Sequence, residues 1–422
     1  MGLKYLYLPS GVKAGTAYGV MPNSADADFD DFTRNSTASR IGKNGFIESV
    51  GSNVPRLDYS DSSCPSLLLE PQRINDLQRS QEFDNAYWTK YQTSVSANSY
   101  ISPDGTLNSD KLIEDNSNSI HQLGRAIGYN SGTTYTVSLF AKSSNRNLEI
   151  AAGNTNTFPA KAIFDLSNGT VLSSTLGNSS IENYGNGWYR CIITATALAT
   201  ATTNINFGLT NGSTLSYAGD GVSFIELFGA MREQGSFPTS YIPTFGSDVT
   251  RSADIAGGTG DLSDTFNSLE GVLYIKTSAL SNDLSERRFG LSDGTSSNVI
   301  RIGYTSVSNR IIAVVYNGSN QAVMTYTSSD ITQNSKIAVK YKQNDFALWV
   351  NGVERSTDTS GSVFSENTLN SLDFNIGGGS HFYSKTKDVR VYNTALTDID
   401  LEELTSWDSF RAMAEGQNYV IE

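Results

Sequence analysis

FIELFGAMREQGSFPTSYIPTFGSDVTRSAD, Phe224 to Asp254, is the point from which the architecture of the chain can be read. It opens as a strand, because Phe224, Ile225, Leu227 and Phe228 form a short apolar run that Gly229 and Gly235 break. Pro238 and Pro243 follow, and proline has no N–H to give a sheet ladder. Residues 231–267 therefore read as an ordered, extended, Pro- and Gly-containing connector rather than a central strand. Tyr241, Ile242 and Phe245 are too apolar for a free linker and are expected to pack on both neighbouring domains. After Asp254 the run AGGTGDLSD reads as a loop, and a new series of strands starts near Gly271. The stretch looks like a hinge between two β-rich halves.

A chain of 422 residues is too long for one hydrophobic core, so two or three domains are expected. Only 17% of the residues are charged, Gly occurs 37 times and Ser, Thr and Asn are abundant, which suits short strands joined by tight turns. Asn-Gly pairs at Asn168, Asn186, Asn211, Asn317 and Asn351, and Asp-Gly pairs at Asp104, Asp220 and Asp293, supply positive-φ positions for hairpins. The net charge of −13 comes from 30 basic against 43 acidic side chains, with no Lys/Arg cluster along the sequence. Phosphate would be repelled, so no nucleic acid and no membrane insertion are expected, and the acidity reads as a solubility device. Cys64 and Cys191 give no disulfide framework and fit folding in a reducing cytoplasm. MGLKYLYLPSG lacks the features of a secretory signal, and no 18-residue apolar run offers a membrane span.

The opening stretch resembles a junction, G-x-Q-x-E-x-G-x-x-x-T-S-Y-I-P-T-x-G-x-x-x-T-R-x-A-D, that recurs in structural proteins of tailed bacterial viruses. Glu233, Gly235, Thr239 to Thr244, Thr250, Arg251, Ala253 and Asp254 match it, whereas Met231 stands where that family usually has Gln. The N-terminal region resembles the same proteins through Thr33, Arg34, Ser36, Gly45, Asn53, Pro55, Arg56, Asp58, Tyr59, Leu67 to Glu70, Gln72, Arg73 and Asn75. Residues 1–80 otherwise read as irregular, with short extended pieces such as LKYLYL and too little apolar content to fold alone. Leu67, Leu68 and Leu69 want burial, so the segment is expected to be ordered by the following sandwich, by sister subunits or by a virion.

Strand candidates then come in two series. In residues 81–230 they include TYTVSLFAKS, GWYRCIITATA and VSFIELFG, with clear alternation at Tyr135, Val137 and Leu139. Phe83 with Trp88, Ser102 to Thr106, His121, Gly132 with Tyr135 and Ser138, and Asn186 to Arg190 resemble carbohydrate-binding modules of the jelly-roll type. In residues 268–407, Asp388 to Asn393 with Ala395 and Leu396 resemble the last strand of laminin-G-like, concanavalin A-like jelly rolls. The expected fold is all-β: two antiparallel β-sandwich (jelly-roll) domains in tandem after an irregular N-terminal segment, with a tail at 408–422.

Flat aromatic rings stack on sugar faces, which draws attention first to Trp88 and Trp188. Both fall where the resembled modules place core residues, so burial is the expectation for them. Tyr87, Tyr91 and Tyr189 have the opposite facing in extended chain and are better candidates for exposed rings. With Tyr304 and Trp349 they form the candidate glycan-binding set. Asp398, Asp400 and Glu402 alternate like the acid triplet of glucanases that share this sandwich. Thr397 to Asp400, however, reads as a helix start with Thr397 as N-cap and Asp400 at N3, and with Ile399, Leu404 and Trp407 as an apolar stripe. His121 and His381 fall in different domains and no G-x-S-x-G elbow accompanies them. No catalytic residue, metal-ligand set or cofactor is assigned, and carboxylates such as Asp293 and Asp345 read as solvated turn acids before calcium ligands.

The resemblance implies a virion structural protein: a head fibre, decoration protein or tail-associated adhesin, made in the host cytoplasm and released by lysis. It implies a homo-oligomer, a trimer being favoured, that contacts other virion proteins through the N-terminal segment and host-surface polysaccharide through the sandwiches. A purely architectural protein and a polysaccharide depolymerase are the alternatives.

Overall fold

The computed structural model describes residues 2–13, 16–21, 24–28, 32–257, 261–376, 379–406 and 408–409. They are dominated by antiparallel sheets, with one helix, Asp398–Thr405, among them, as the all-β reading expects. Two compact units result: a central one, Ser36–Ser49 with Gln72–Ser252, and a terminal one, Met1–Asn35 with Val50–Pro71 and Ala253–Glu422. Residues 231–252 thus group with the central unit and 253–267 with the terminal one. Most of the expected tail, 410–422, lies outside the described residues, as does Trp407.

The central unit is a sandwich. Its six-stranded sheet runs in the order Thr93–Ile101, Leu107–Glu114, Phe224–Gln234, Thr134–Ser143, Trp188–Thr196, Asn178–Asn183. A seven-stranded sheet is built around Asn118–Tyr129, Ala201–Thr210 and Asn147–Ala152. Alternation selects what fills the space between them: Val137, Leu139 and Leu227 from one sheet share a core with Leu123, Ile150 and Phe207 from the other. Phe83 and Trp88 join the same core.

The strand Phe224–Gln234 corrects the expectation of a break at Gly229. It runs on for 11 residues, with a bulge opposite Ser138 to Phe140. Gly229 has φ +64°, and a Cβ there would lie 2.8 Å from Phe140 Cδ2, so the bulge requires glycine. Phe228 and Met231 are three residues apart and would face opposite ways on a regular strand. The bulge turns both outward, into a second core with Phe140, Trp188, Tyr241 and Ile242. The proline-bearing strap therefore covers the outer face of the six-stranded sheet. Phe245 is a further correction: its backbone bridges to Arg79 and its side chain is 65% exposed.

The terminal unit is also a sandwich. Leu3–Lys13 pairs with Ser384–Tyr392 in its ten-stranded sheet, which sends Tyr5 and Tyr7 into the core. Ser66–Leu69 pairs with Ser384–Tyr392 as well, and Leu67 and Leu69 are buried in the same core, as their apolarity requires. Residues 1–80 are therefore not irregular throughout. Their ladder partners lie more than 300 residues further along the chain, so no local pattern announces them. Facing this sheet is a five-stranded one, in the order Asn320–Thr327, Arg310–Asn317, Asn298–Tyr304, Arg287–Ser292, Ser371–Asp373. Phe289, Ile300, Ile302, Ile311 and Val315 fill the space against Leu273, Val389 and Val391.

Candidate functional site

The five aromatic candidates do not converge. Tyr304 is buried, stacked on Phe382 at 5.5 Å between centroids, and Trp349 is buried in a small core with Tyr274 and Leu401 beneath the helix. Neither offers a face to a sugar, which corrects their assignment: each sits where the sheet needs an apolar side chain. Tyr87 is half-buried, edge-on to Trp88 at 5.2 Å and covered by the Arg125 guanidinium at 4.3 Å. Tyr189 is half-buried against Gly169, where a Cβ would come within 2.4 Å of its ring. Tyr91 alone of the five is exposed, at 50%, on the short edge strand Thr89–Tyr91. Trp88 and Trp188 are core residues as expected, each donating its indole N–H to a carbonyl, of Arg79 and of Ile101, at 3.0 Å.

The acid triplet is occupied by folding. Thr397 caps the helix Asp398–Thr405, and its hydroxyl donates to Asp400 at 2.7 Å in a complete capping box. Asp398 and Asp400 thus sit in the first turn of a helix rather than on one face of a strand. His121 is buried, with Nδ1 2.9 Å from the Gln92 carbonyl and Nε2 3.4 Å from that of Tyr217, and His381 belongs to the other unit. Asp293 accepts from the Thr295 N–H and hydroxyl and from Asn298, while Asp345 pairs with Lys340 at 2.7 Å. No group of three or more His, Cys, Asp or Glu among the described residues is placed to hold a metal ion. A cleft of about 520 Å³ lies beside Glu114, Asp115 and Asp220 in the central unit. Its polar wall is tied up, because Arg146 donates to Glu114 at 2.7 Å and 2.8 Å and to Asp220 at 3.4 Å, and the Tyr217 hydroxyl donates to Glu114 at 2.6 Å.

The residues that carry the viral resemblance are, in large part, one another's partners. In the terminal unit Arg34 and Arg56 are completely buried and converge on Asp254. Arg34 Nη1 lies 3.0 Å from Asp254 Oδ1, Arg56 Nη2 donates to Asp254 Oδ2, and Arg56 Nη1 donates to Glu70 Oε2 at 2.6 Å. Burial works against the Arg56 charge, but these two carboxylates outweigh it and hold its pKa above the usual arginine value. In the central unit Glu233 accepts from the Thr239 N–H and hydroxyl, and Asn75 donates to the carbonyls of Ala230 and Ile242. The pattern spread over residues 33–75 and 231–254 is a folding constraint that joins segments distant in sequence.

A partly open surface remains on the outer face of the five-stranded sheet. Ile300 and Ile302 point into the core, so alternation sends Arg301 and Gly303 outward. The register sets Gly290, Arg301, Val314 and Val323 in one row, and Arg288, Gly303, Ile312 and Thr325 in the next. Arg310 starts the row beyond, opposite Thr327. Gly290 leaves space beside Arg301 that Ile376 partly fills, a Cβ at Gly290 coming 2.8 Å from Ile376 Cδ1. Asp373 is opposite Gly290 in the register and accepts from the hydroxyls of Ser292 at 3.2 Å and Ser371 at 3.0 Å. Arg288 donates to Glu286 at 2.7 Å. Arg301 is half-buried, and among the described residues it has neither a hydrogen-bond acceptor nor an ion-pair partner. Burial first, and then the neighbouring Arg288 charge, lower its pKa. Arg310 is alike in that its buried Nε has no acceptor among the described residues. Arg288, Arg301 and Arg310 do not figure among the candidate residues of the sequence analysis. The available signal was Arg301 standing between two core isoleucines.

Residues 273–401 match the concanavalin A-like lectin/glucanases superfamily, and this part of the chain is a lectin-like sandwich. No curated protein matches the chain. Among solved structures it is similar to the CBM40 of the Ruminococcus gnavus IT-sialidase, at 16% identity over 36% of this chain and 93% of that one, with a TM-score of 0.30. It is similar to a leech intramolecular trans-sialidase complexed with 2,7-anhydro-Neu5Ac, at 18% identity over 37% of this chain and 27% of that one, with a TM-score of 0.30. The mouse laminin alpha1 chain domains LG4-5 align at 10% identity over 67% of this chain and 90% of that one, with a TM-score of 0.22. Likenesses this distant carry no conclusion about function.

Proposed function

We propose that the chain is a non-catalytic, glycan-binding structural protein of a tailed bacterial virus, serving as a head fibre, decoration protein or tail-associated adhesin. The observation that supports the glycan reading is a concanavalin A-like sandwich whose five-stranded sheet carries the half-buried Arg301 and the exposed Val323 and Thr325 on its outer face. The viral reading rests on the residue pattern at 33–75 and 231–254. Copies of the protein, as a trimer, attach to other virion proteins through N-terminal residues and meet host-surface polysaccharide with the sandwiches. Nucleic acid and membrane lipid are not partners. Repetition over a particle raises effective concentration, so each site can be shallow and weak. The protein is made in the host cytoplasm and leaves with the particle at lysis.

A glycan array probed with the full chain tests this reading. Signal above that of an unrelated β-sandwich is expected, and silence across the array would leave a purely architectural role in its place. Polysaccharides that bind are expected to keep their chain length on incubation with the protein. Shortening that disappears in Asp400→Asn would instead make it a depolymerase.

A further inference from the structure

The chain has 43 acidic side chains against 30 basic ones, yet three arginines from three adjacent strands lie on one sheet face with, among the described residues, a single ion pair, that of Arg288 with Glu286. Water satisfies a fully exposed guanidinium, but a half-buried one has lost part of its hydration and gains most from a fixed anion. Arg301 is such a group. Its flank on the neighbouring strand is Gly290, where Ile376 packs, and two residues along its own strand is Gly303, which carries no side chain. Beside it the row continues with Val314, which is buried, and then the exposed Val323, and Thr325 is exposed in the next row. The face thus combines a cationic centre, an exposed apolar side chain and the hydroxyls of Thr325 and Thr327, which suits a pyranose bearing an acidic group.

Building on the glycan-binding reading, we infer that this face takes a saccharide carrying a carboxylate, a uronic or sialic acid, with Arg301 receiving the carboxylate and Arg310 adding charge. A guanidinium offers two parallel N–H donors that match the two oxygens of a carboxylate, which a neutral sugar cannot use. The sugar ring lies against the exposed Val323, where its apolar edge is sheltered from water. Asp373, held by Ser292 and Ser371, stands on the far side of Gly290 as an acceptor for sugar hydroxyls.

The test is an array of uronic- and sialic-acid glycans, each printed beside its carboxyl-reduced form, probed with the full chain and with Arg301→Gln, Arg301→Lys and Val323→Ser. Wild type is expected to favour at least one acidic form over its reduced partner by about tenfold or more, the effect of one charge-assisted pair of hydrogen bonds. Arg301→Gln should abolish that preference, Arg301→Lys should recover part of it, and Val323→Ser should weaken both forms alike. Equal binding of acidic and reduced forms overturns the inference and leaves the glycan reading standing. Silence on every glycan, acidic or neutral, overturns both. Competition by inorganic phosphate as strong as by free glucuronate also overturns it, since the face would then take any anion. A melting temperature for each variant guards against misfolding, and if Arg301→Gln unfolds, the Arg301→Lys and Val323→Ser profiles still decide the matter.

Discussion

Two groups of arginines in the terminal unit are handled in opposite ways. Arg34 and Arg56 are sealed inside, and the carboxylates of Asp254 and Glu70 answer their charges. Arg301 and Arg310 lie on a sheet face where no carboxylate forms an ion pair with them among the described residues, although the chain is rich in acids. The first group is what a buried charge needs if the fold is to survive. The second is what a fold leaves when something from outside completes the pairing. Charge count alone does not separate the two, and the position of the counter-charge does.

The largest effect expected from this contrast is on stability. Asp254→Ala would leave two fully buried guanidiniums with one carboxylate between them, a loss of about 3–5 kcal/mol by urea unfolding. A loss below about 1 kcal/mol would mean that water or another group already serves those arginines. A second probe uses an acid buried without any arginine. Asp110 accepts the backbone N–H groups of Phe83 at 2.8 Å and Asn98 at 2.9 Å, and burial raises its pKa from 3.8 to about 6. The folded state then holds the proton more tightly than the unfolded chain does. That stabilisation is complete below about pH 4 and is lost as pH rises through about 6. Asp110→Asn should flatten the fall in stability between those values, and an unchanged slope would show that Asp110 is not its source.

Smaller effects are expected at the surface. Thr397→Ala removes the cap in which Asp400 is engaged and should cost about 1 kcal/mol in thermal unfolding. No change would release Asp400 from its structural role and reopen a chemical one. Arg301→Ala should alter stability by no more than about 0.5 kcal/mol, as for a side chain with no internal ion pair or hydrogen bond to lose among the described residues.

What the sequence disclosed follows from range. The sandwiches were legible in Tyr135, Val137 and Leu139 and in Asp388 to Asn393, because alternation is a local signal. The helix cap at Thr397 was legible for the same reason. The strands around Tyr5 and Tyr7 were not, since their ladder partner is Ser384–Tyr392. Nor was the bulge at Gly229: a glycine inside an apolar run looks like a break until Phe140 is placed opposite. Tyr304 and Trp349 show the limit for sites, because an aromatic on a strand has a facing that depends on which sheet covers it. No basic cluster exists along the sequence, and the one on the five-stranded sheet forms only when the register brings Arg288, Arg301 and Arg310 onto neighbouring strands.

The most direct measurement is a paired one on Arg301→Ala, taking its melting temperature together with its affinity for the acidic glycan that wild type holds best. The result expected is an unchanged melting temperature with affinity down about tenfold or more. A variant that melts as early as Asp254→Ala while binding as wild type does would contradict it, since Arg301 would then belong with the arginines that hold the fold.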